Sequence, residues 1–131
     1  MKTISNDTYV DQAEKVIRTL KEKKNPRNGR PVDMVTTSKL RNLLAMTADI
    51  YNEVRDVQED KLPQRIQDRI AYLRVRFLYE AGRDDKVKNF VEESKILDVL
   101  KEIQGSKENY ILFSRYMEAL VAYHKFMGGK D

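Results

Sequence analysis

The chain has 131 residues, 40% of them apolar and 35% charged, with a net charge of +4. This is enough for a single domain over 1–131 with one core. No stretch approaches the roughly 20 apolar residues of a bilayer-crossing helix, the opening MKTISNDTYV lacks the apolar run of a signal peptide, and the absence of cysteine removes disulfide and thiolate chemistry. Together these features predict a cytoplasmic protein with no membrane partner.

Nearly every segment repeats its apolar residues at intervals of three and four, the signature of helices packed on one side. Over 8–24, Tyr9, Val10, Ala13, Val16, Ile17 and Leu20 form one stripe, with Asn6 or Asp7 as the N-cap. NPRNGRPVDMVT (25–36) interrupts the pattern with Pro26, Gly29 and Pro31. It is long for a connection within a bundle, and such loops tend to be functional or mobile. The second helix is predicted from 38 to 60, with Leu40, Leu43, Leu44, Thr47, Tyr51 and Val54 facing inward. Pro63 suits the first turn of a third helix over 64–81, for which Gly82 is a natural C-terminal cap. A fourth starts at Asp84 or Asp85, with a break near Ser94. Gly105 and Ser106 precede the last helix, 107–127, and Gly128-Gly129 stop it. Alternation at two residues is nearly absent, so the expected fold is all-α, a compact bundle of about five helices.

The start of the second helix, TTSKLRNLLAM (36–46), places Lys39 and Arg41 in the first turn. The positive end of the helix dipole disfavours cations there, typically by 0.3–1 kcal/mol each. Free N–H groups flanked by two cations would make an anion site, and a bound phosphate would offset that cost. The charge along the chain is also segregated. Residues 25–46 and 64–88 each carry a balance of +3, and residues 47–63 between them carry −3. Brought together, the two basic segments would make a basic face; the other reading is ordinary solvated helix surface.

The third helix divides into faces. At 100° per residue from Ile66, Ile70, Leu73, Phe77 and Ala81 fall within about −20° to 60°, the core stripe. Arg65, Arg69, Arg76 and Arg83 form a column at about 260° to 300°, with Tyr72 beside it. Pairing with Asp68 and Glu80 or plain solvation is one account of this column. The other is phosphate recognition, for which the planar arginine fork is suited. Ala71, Val75 and Leu78 form a second apolar arc, either buried by surrounding helices or free for a subunit contact.

The inventory for catalysis is empty. The single histidine, His124, lies on the core stripe near a helix C-terminus, where a satisfied core role is the default. Glu118, six residues away, falls about 120° round the helix and shares no face with it. The acidic pairs Asp84-Asp85, Glu92-Glu93 and Glu59-Asp60 are adjacent, so their side chains diverge by about 100° and make poor metal sites or acid–base dyads. No phosphate-binding glycine loop is present. No catalytic residue, metal or cofactor is therefore expected, and the remaining class is binding. A helical surface with an arginine column suits sequence-blind contact with a nucleic-acid backbone.

Three segments, TTSKLRNLL, YEAGR (79–83) and above all YMEALVAYHKFMGGKD (116–131), give the chain a resemblance over roughly 34–131 to a known family. It resembles the small subunit of the type III-A CRISPR effector, the Csm complex. The resemblance implies a compact helical scaffold protein whose copies stack along guide and target RNA inside a ribonucleoprotein, with the reactions carried by other subunits. Expected partners are thus guide and target RNA, other Csm subunits and further copies of the chain itself. Carried over by motif, Lys39, Arg41 and Arg83 are the first candidates for backbone phosphates. Arg69 and Arg76 join them from the face analysis, and Lys86 and Lys88, just beyond Gly82, are weaker candidates. Lys125, also within the motif, could equally satisfy the last helical carbonyls. The alternative function is a helical protein–protein scaffold without direct RNA contact, using the apolar arc of the third helix.

Overall fold

Residues 1–130 are described by a computed structural model. Six helices follow one another: α1 (Tyr9–Glu22), α2 (Thr37–Val54), α3 (Gln64–Arg83), α4 (Asp85–Ser94), α5 (Ile96–Glu102) and α6 (Lys107–Phe126). The sixth arises from the expected break at Ser94, where Lys95 takes a left-handed conformation (φ 56°) and separates α4 from α5. Among the described residues there is no β-sheet, only two isolated bridges. No helix is long and apolar enough to cross a membrane.

The C-terminal helix is the centre of the packing. α6 lies against both α1 and α2, while α3 packs on α2 and α4. Its buried residues, including Leu112, Phe113, Tyr116, Met117 and Leu120, therefore occupy more of its circumference than a one-sided stripe. Phe77 of α3 meets Phe113 edge to face at 6.5 Å between ring centroids. The two buried tyrosine hydroxyls of α6 have partners: that of Tyr110 donates to Thr47 O (2.6 Å), and that of Tyr116 to Ser94 O (2.8 Å). The second of these fixes α6 to the α4–α5 break.

Several boundaries differ from the sequence expectation, each for a local physical reason. Ser5 O accepts the N–H groups of Thr8 (3.2 Å) and Tyr9 (3.0 Å), so the N-cap falls at Thr8 rather than Asn6 or Asp7. Within α1 the stripe narrows to Ala13, Val16, Ile17 and Leu20, while Val10 faces outward. The 25–36 segment is a folded-back turn. Asn25 N–H donates to Arg30 O and Val32 N–H to Lys23 O, with Gly29 in the left-handed region (φ 69°) at its tip. α2 ends at Val54, not 60, because the Lys107 ammonium of α6 takes the carbonyls of Arg55 and Val57. Gly82 is not a cap: α3 runs through it to Arg83, and the chain turns at Asp84. Asp84 is extended (φ −145°, ψ 114°), as an N-cap must be, and its carboxylate accepts the N–H groups of Lys86 and Val87 to start α4.

Candidate nucleic-acid interface

The arginine column of α3 faces a stripe of α2, and the two helices form the walls of a trough. Two adjoining cavities make it. One, of about 420 Å³, lies at Met46, Asp49, Asp68, Arg69, Tyr72 and Arg76. The other, of about 430 Å³, lies at Lys39, Asn42, Met46, Arg76, Glu80 and Arg83. Met46 and Arg76 line both, so the two meet at these side chains. Four of the seven candidate residues, Lys39, Arg69, Arg76 and Arg83, thus line one depression.

The other three stand elsewhere. Arg41 is exposed, lines neither cavity and has no ion pair with any described residue. At two residues beyond Lys39 it is turned about 200° round α2. Lys86 lies across from Asp33 (3.8 Å) in a separate depression near the C-terminal segment. Lys88 is exposed and outside both trough cavities.

Carboxylates thread the column without neutralising it. Glu53 of α2 pairs with both Arg65 and Arg69. Glu80 pairs with Arg76 (3.3 Å) and Arg83 (3.8 Å). Four guanidinium groups share two carboxylates; over the side chains lining the two cavities, Lys39, Arg69, Arg76 and Arg83 stand against Asp49, Asp68 and Glu80, a balance of +1. The expected partner Asp68 is not used by the arginines; it accepts instead from the Gln64 amide (2.8 Å). Glu53 takes its place because it reaches across from α2, a contact that spacing along α3 cannot reveal. These pairs are half-exposed, a setting in which an ion pair adds little stability and can be exchanged for another anion.

Tyr79 belongs to this surface and escapes the helical-face reading. The guanidinium groups of Arg76 and Arg83 lie 5.2 and 5.7 Å from its ring centroid. The signal was available: Arg76, Tyr79 and Arg83 follow a spacing of three and four, which stacks side chains along a helix. Tyr79 thereby holds two arginines in place on the open side of α3.

The start of α2 differs from an open anion site. Thr37 N–H donates to Lys130 O (2.7 Å) and Lys39 N–H to the Thr36 hydroxyl (3.4 Å), so two first-turn donors already have partners. The Lys39 ammonium pairs with the Asp84 carboxylate of the α4 cap. That hydrogen bond leads in holding the Asp84 carboxyl below its usual value; burial opposes it, and the Lys86 and Val87 N–H groups assist. A cation at the unfavourable end of a helix is therefore compensated by an anion supplied from another helix. Lys39 reaches the trough as a paired charge.

The C-terminal motif is a structural latch. His124 is fully buried, as expected for a core histidine, and its Nε2 lies 2.6 Å from Val35 O. A carbonyl only accepts, so Nε2 carries the proton and Nδ1 is left buried without a partner. Burial depresses the His124 pKa, the Val35 hydrogen bond works against that, and nearby Lys125 adds to the depression. Gly128 (φ 91°) follows α6, and the N–H groups of Gly129 and Gly128 return to His124 O (2.8 Å) and Lys125 O (3.2 Å). This is a Schellman ending. A Cβ on Gly129 would stand 2.1 Å from the His124 ring, so only glycine fits under the imidazole.

A family model described as Csm2 Type III-A matches residues 7–130. The chain belongs to that family. The match bears out the resemblance drawn from the three motifs and extends it through α1, beyond 34–131. Among curated members, the CRISPR system Cms protein Csm2 of Streptococcus thermophilus is 44% identical over the whole of both chains. Its counterpart in Mycobacterium tuberculosis (strain CDC 1551 / Oshkosh) is 43% identical over 98% of both. That of Enterococcus italicus is 36% identical over 87% of this chain and 85% of its own. Coverage from end to end places this chain among Csm2 proteins as the small Csm subunit that the closing motif implied.

Proposed function

We propose that this Csm2-family chain is a non-catalytic, cytoplasmic subunit of a type III-A CRISPR ribonucleoprotein whose α2–α3 trough lies along an RNA backbone without reading its sequence. One observation carries the reading: Lys39, Arg69, Arg76 and Arg83, from two helices, converge on a single trough with a surplus of positive charge. Arginine forks held by shared carboxylates and by Tyr79 are presented at fixed spacing. A phosphodiester has the charge and the planar oxygen pairs to replace those carboxylates. Arg41, Lys86 and Lys88 lie outside the trough and would meet RNA only along a path that continues round the molecule. Among the described residues, no group of histidine and acidic side chains is placed to hold a metal, and the one histidine is committed to the latch.

The test uses the assembled complex. Arg69→Glu with Arg76→Glu weakens target RNA binding to a similar extent for unrelated sequences, with an unchanged far-ultraviolet circular dichroism spectrum. It also lowers the dependence of log affinity on log salt by about 0.7 per lost phosphate contact to a single strand. Unaltered affinity and salt slope would sink the assignment.

The far face of α3 supports a protein contact as well. Val75 and Leu78 are 52% and 51% exposed, so the bundle does not cover the second apolar arc. Other subunits, further copies of this chain among them, are the partners proposed for it. Val75→Asp is expected to reduce incorporation into the complex, read by co-purification, while leaving the melting temperature of the free chain within a few degrees.

A further inference from the structure

The upper cavity of the trough has features that phosphate contact leaves unused. Its floor is apolar, formed by Met46, Ile50 and Leu73. Tyr72 stands at its edge with 63% of its surface exposed, a large aromatic face with no partner ring. Asp49 from α2 and Asp68 from α3 also line it, and Asp49 has no hydrogen bond or ion pair with any described residue. Carboxylates repel a phosphodiester, and an apolar floor offers it nothing. Both would be misplaced if the cavity served the backbone alone.

A nucleobase uses all of them. It has flat apolar faces for the floor and for stacking on a tyrosine, and its edge carries amino donors that an ionised carboxylate accepts. Arg69 and Arg76 flank the same cavity and can hold the neighbouring phosphates. We propose that the cavity bounded by Met46, Ile50, Leu73 and Tyr72 receives one unstacked base of the bound RNA, and that Asp49 favours an amino-bearing base over uracil. This rests on the trough being an RNA surface and adds a base subsite to it. The preference is modest, because stacking accepts every base and only the carboxylate contact discriminates.

The experiment measures binding of the full-length chain at low salt, by fluorescence anisotropy, to decamers of adenylate, cytidylate, uridylate and abasic ribose-phosphate. Adenylate and cytidylate should bind more tightly than uridylate, and every base-bearing decamer more tightly than the abasic one, by about tenfold if one stacked base is lost. Tyr72→Ala should bring the base-bearing decamers down toward the abasic one. Asp49→Ala should move the adenylate-to-uridylate ratio toward one. The ratio is the readout, because removing a negative charge tightens binding to every decamer. Both side chains are exposed, so folding is not at stake, and circular dichroism checks it. Equal affinity for adenylate and abasic decamers, with both weakened by Arg69→Glu and Arg76→Glu, overturns the base subsite and leaves the backbone reading intact. Binding that is indifferent to the arginine changes overturns both.

Discussion

The trough between α2 and α3 and the latch at the end of α6 both contain family-motif residues, and they use them in opposite ways. The latch is closed by internal contacts, with the buried His124 Nδ1 as the one ring atom left over. The His124 ring holds Val35 O, Gly129 fits under that ring, and Lys130 O takes the Thr37 N–H. In the trough, groups are left over: Arg76 and Arg83 share Glu80, Asp49 has no hydrogen-bond or ion-pair partner among the described residues, and Tyr72 presents an open face. A motif residue is therefore not a site residue by default. Within the most distinctive segment of the chain, residues 123–130 tie the end of the bundle to the start of α2, whereas the less distinctive arginine column stands at the surface of α3.

Substitutions that separate the two regions sharpen this contrast. The largest effect is expected at Gly129. Gly129→Val forces a branched side chain into the His124 ring and should cost about 1–3 kcal/mol in urea unfolding, with RNA affinity per folded molecule unchanged. A wild-type stability would mean that the latch contributes little to holding the chain together.

Acid acts next, and again on the latch alone. The folded His124 resists protonation, whereas the unfolded chain takes up a proton near the ordinary value of 6.5. The unfolded state then binds more protons, so stability falls as pH drops below about 6.5, by at most about 1.4 kcal/mol per pH unit for one group. His124 is the only histidine. Asp84 and Glu102, both held below ordinary values of 3.8 and 4.5, keep their contributions until the solution is more acidic than that. The interval from about pH 6.5 to 5 therefore reports on His124, and His124→Gln should flatten the stability profile there. A slope that survives this change would assign it to another group.

The smallest effect is expected where the two regions meet. Asp84→Asn keeps an N-cap for α4 but removes the charge that holds Lys39. Stability should change by less than about 1 kcal/mol, as for other partly exposed pairs. RNA affinity should rise a few-fold and the salt slope steepen, because Lys39 is released into the trough. An unchanged salt slope would show that Lys39 contributes no phosphate contact.

The sequence alone determined the helical class, most helix cores and the α4–α5 break. These follow from local rules: an apolar period near 3.6, proline at helix starts, and glycine after helix ends. It also determined the faces of α3, because residues on one helix keep fixed angles to one another whatever surrounds them. The arginine column and the outward arc of Ala71, Val75 and Leu78 could be drawn from spacing for that reason. Only the tertiary structure decided what each face meets. Glu53 rather than Asp68 pairs with Arg65 and Arg69 because α2 crosses beside α3. Lys39 is answered by Asp84, 45 residues away. α2 stops at Val54 because Lys107 takes the next carbonyls. Gly82 stays helical because the extended conformation needed to start α4 falls on Asp84 instead. In the first three cases the deciding partner lies on another helix or at its cap. Its energy enters only after the helices have docked, so no local pattern in the chain encodes it.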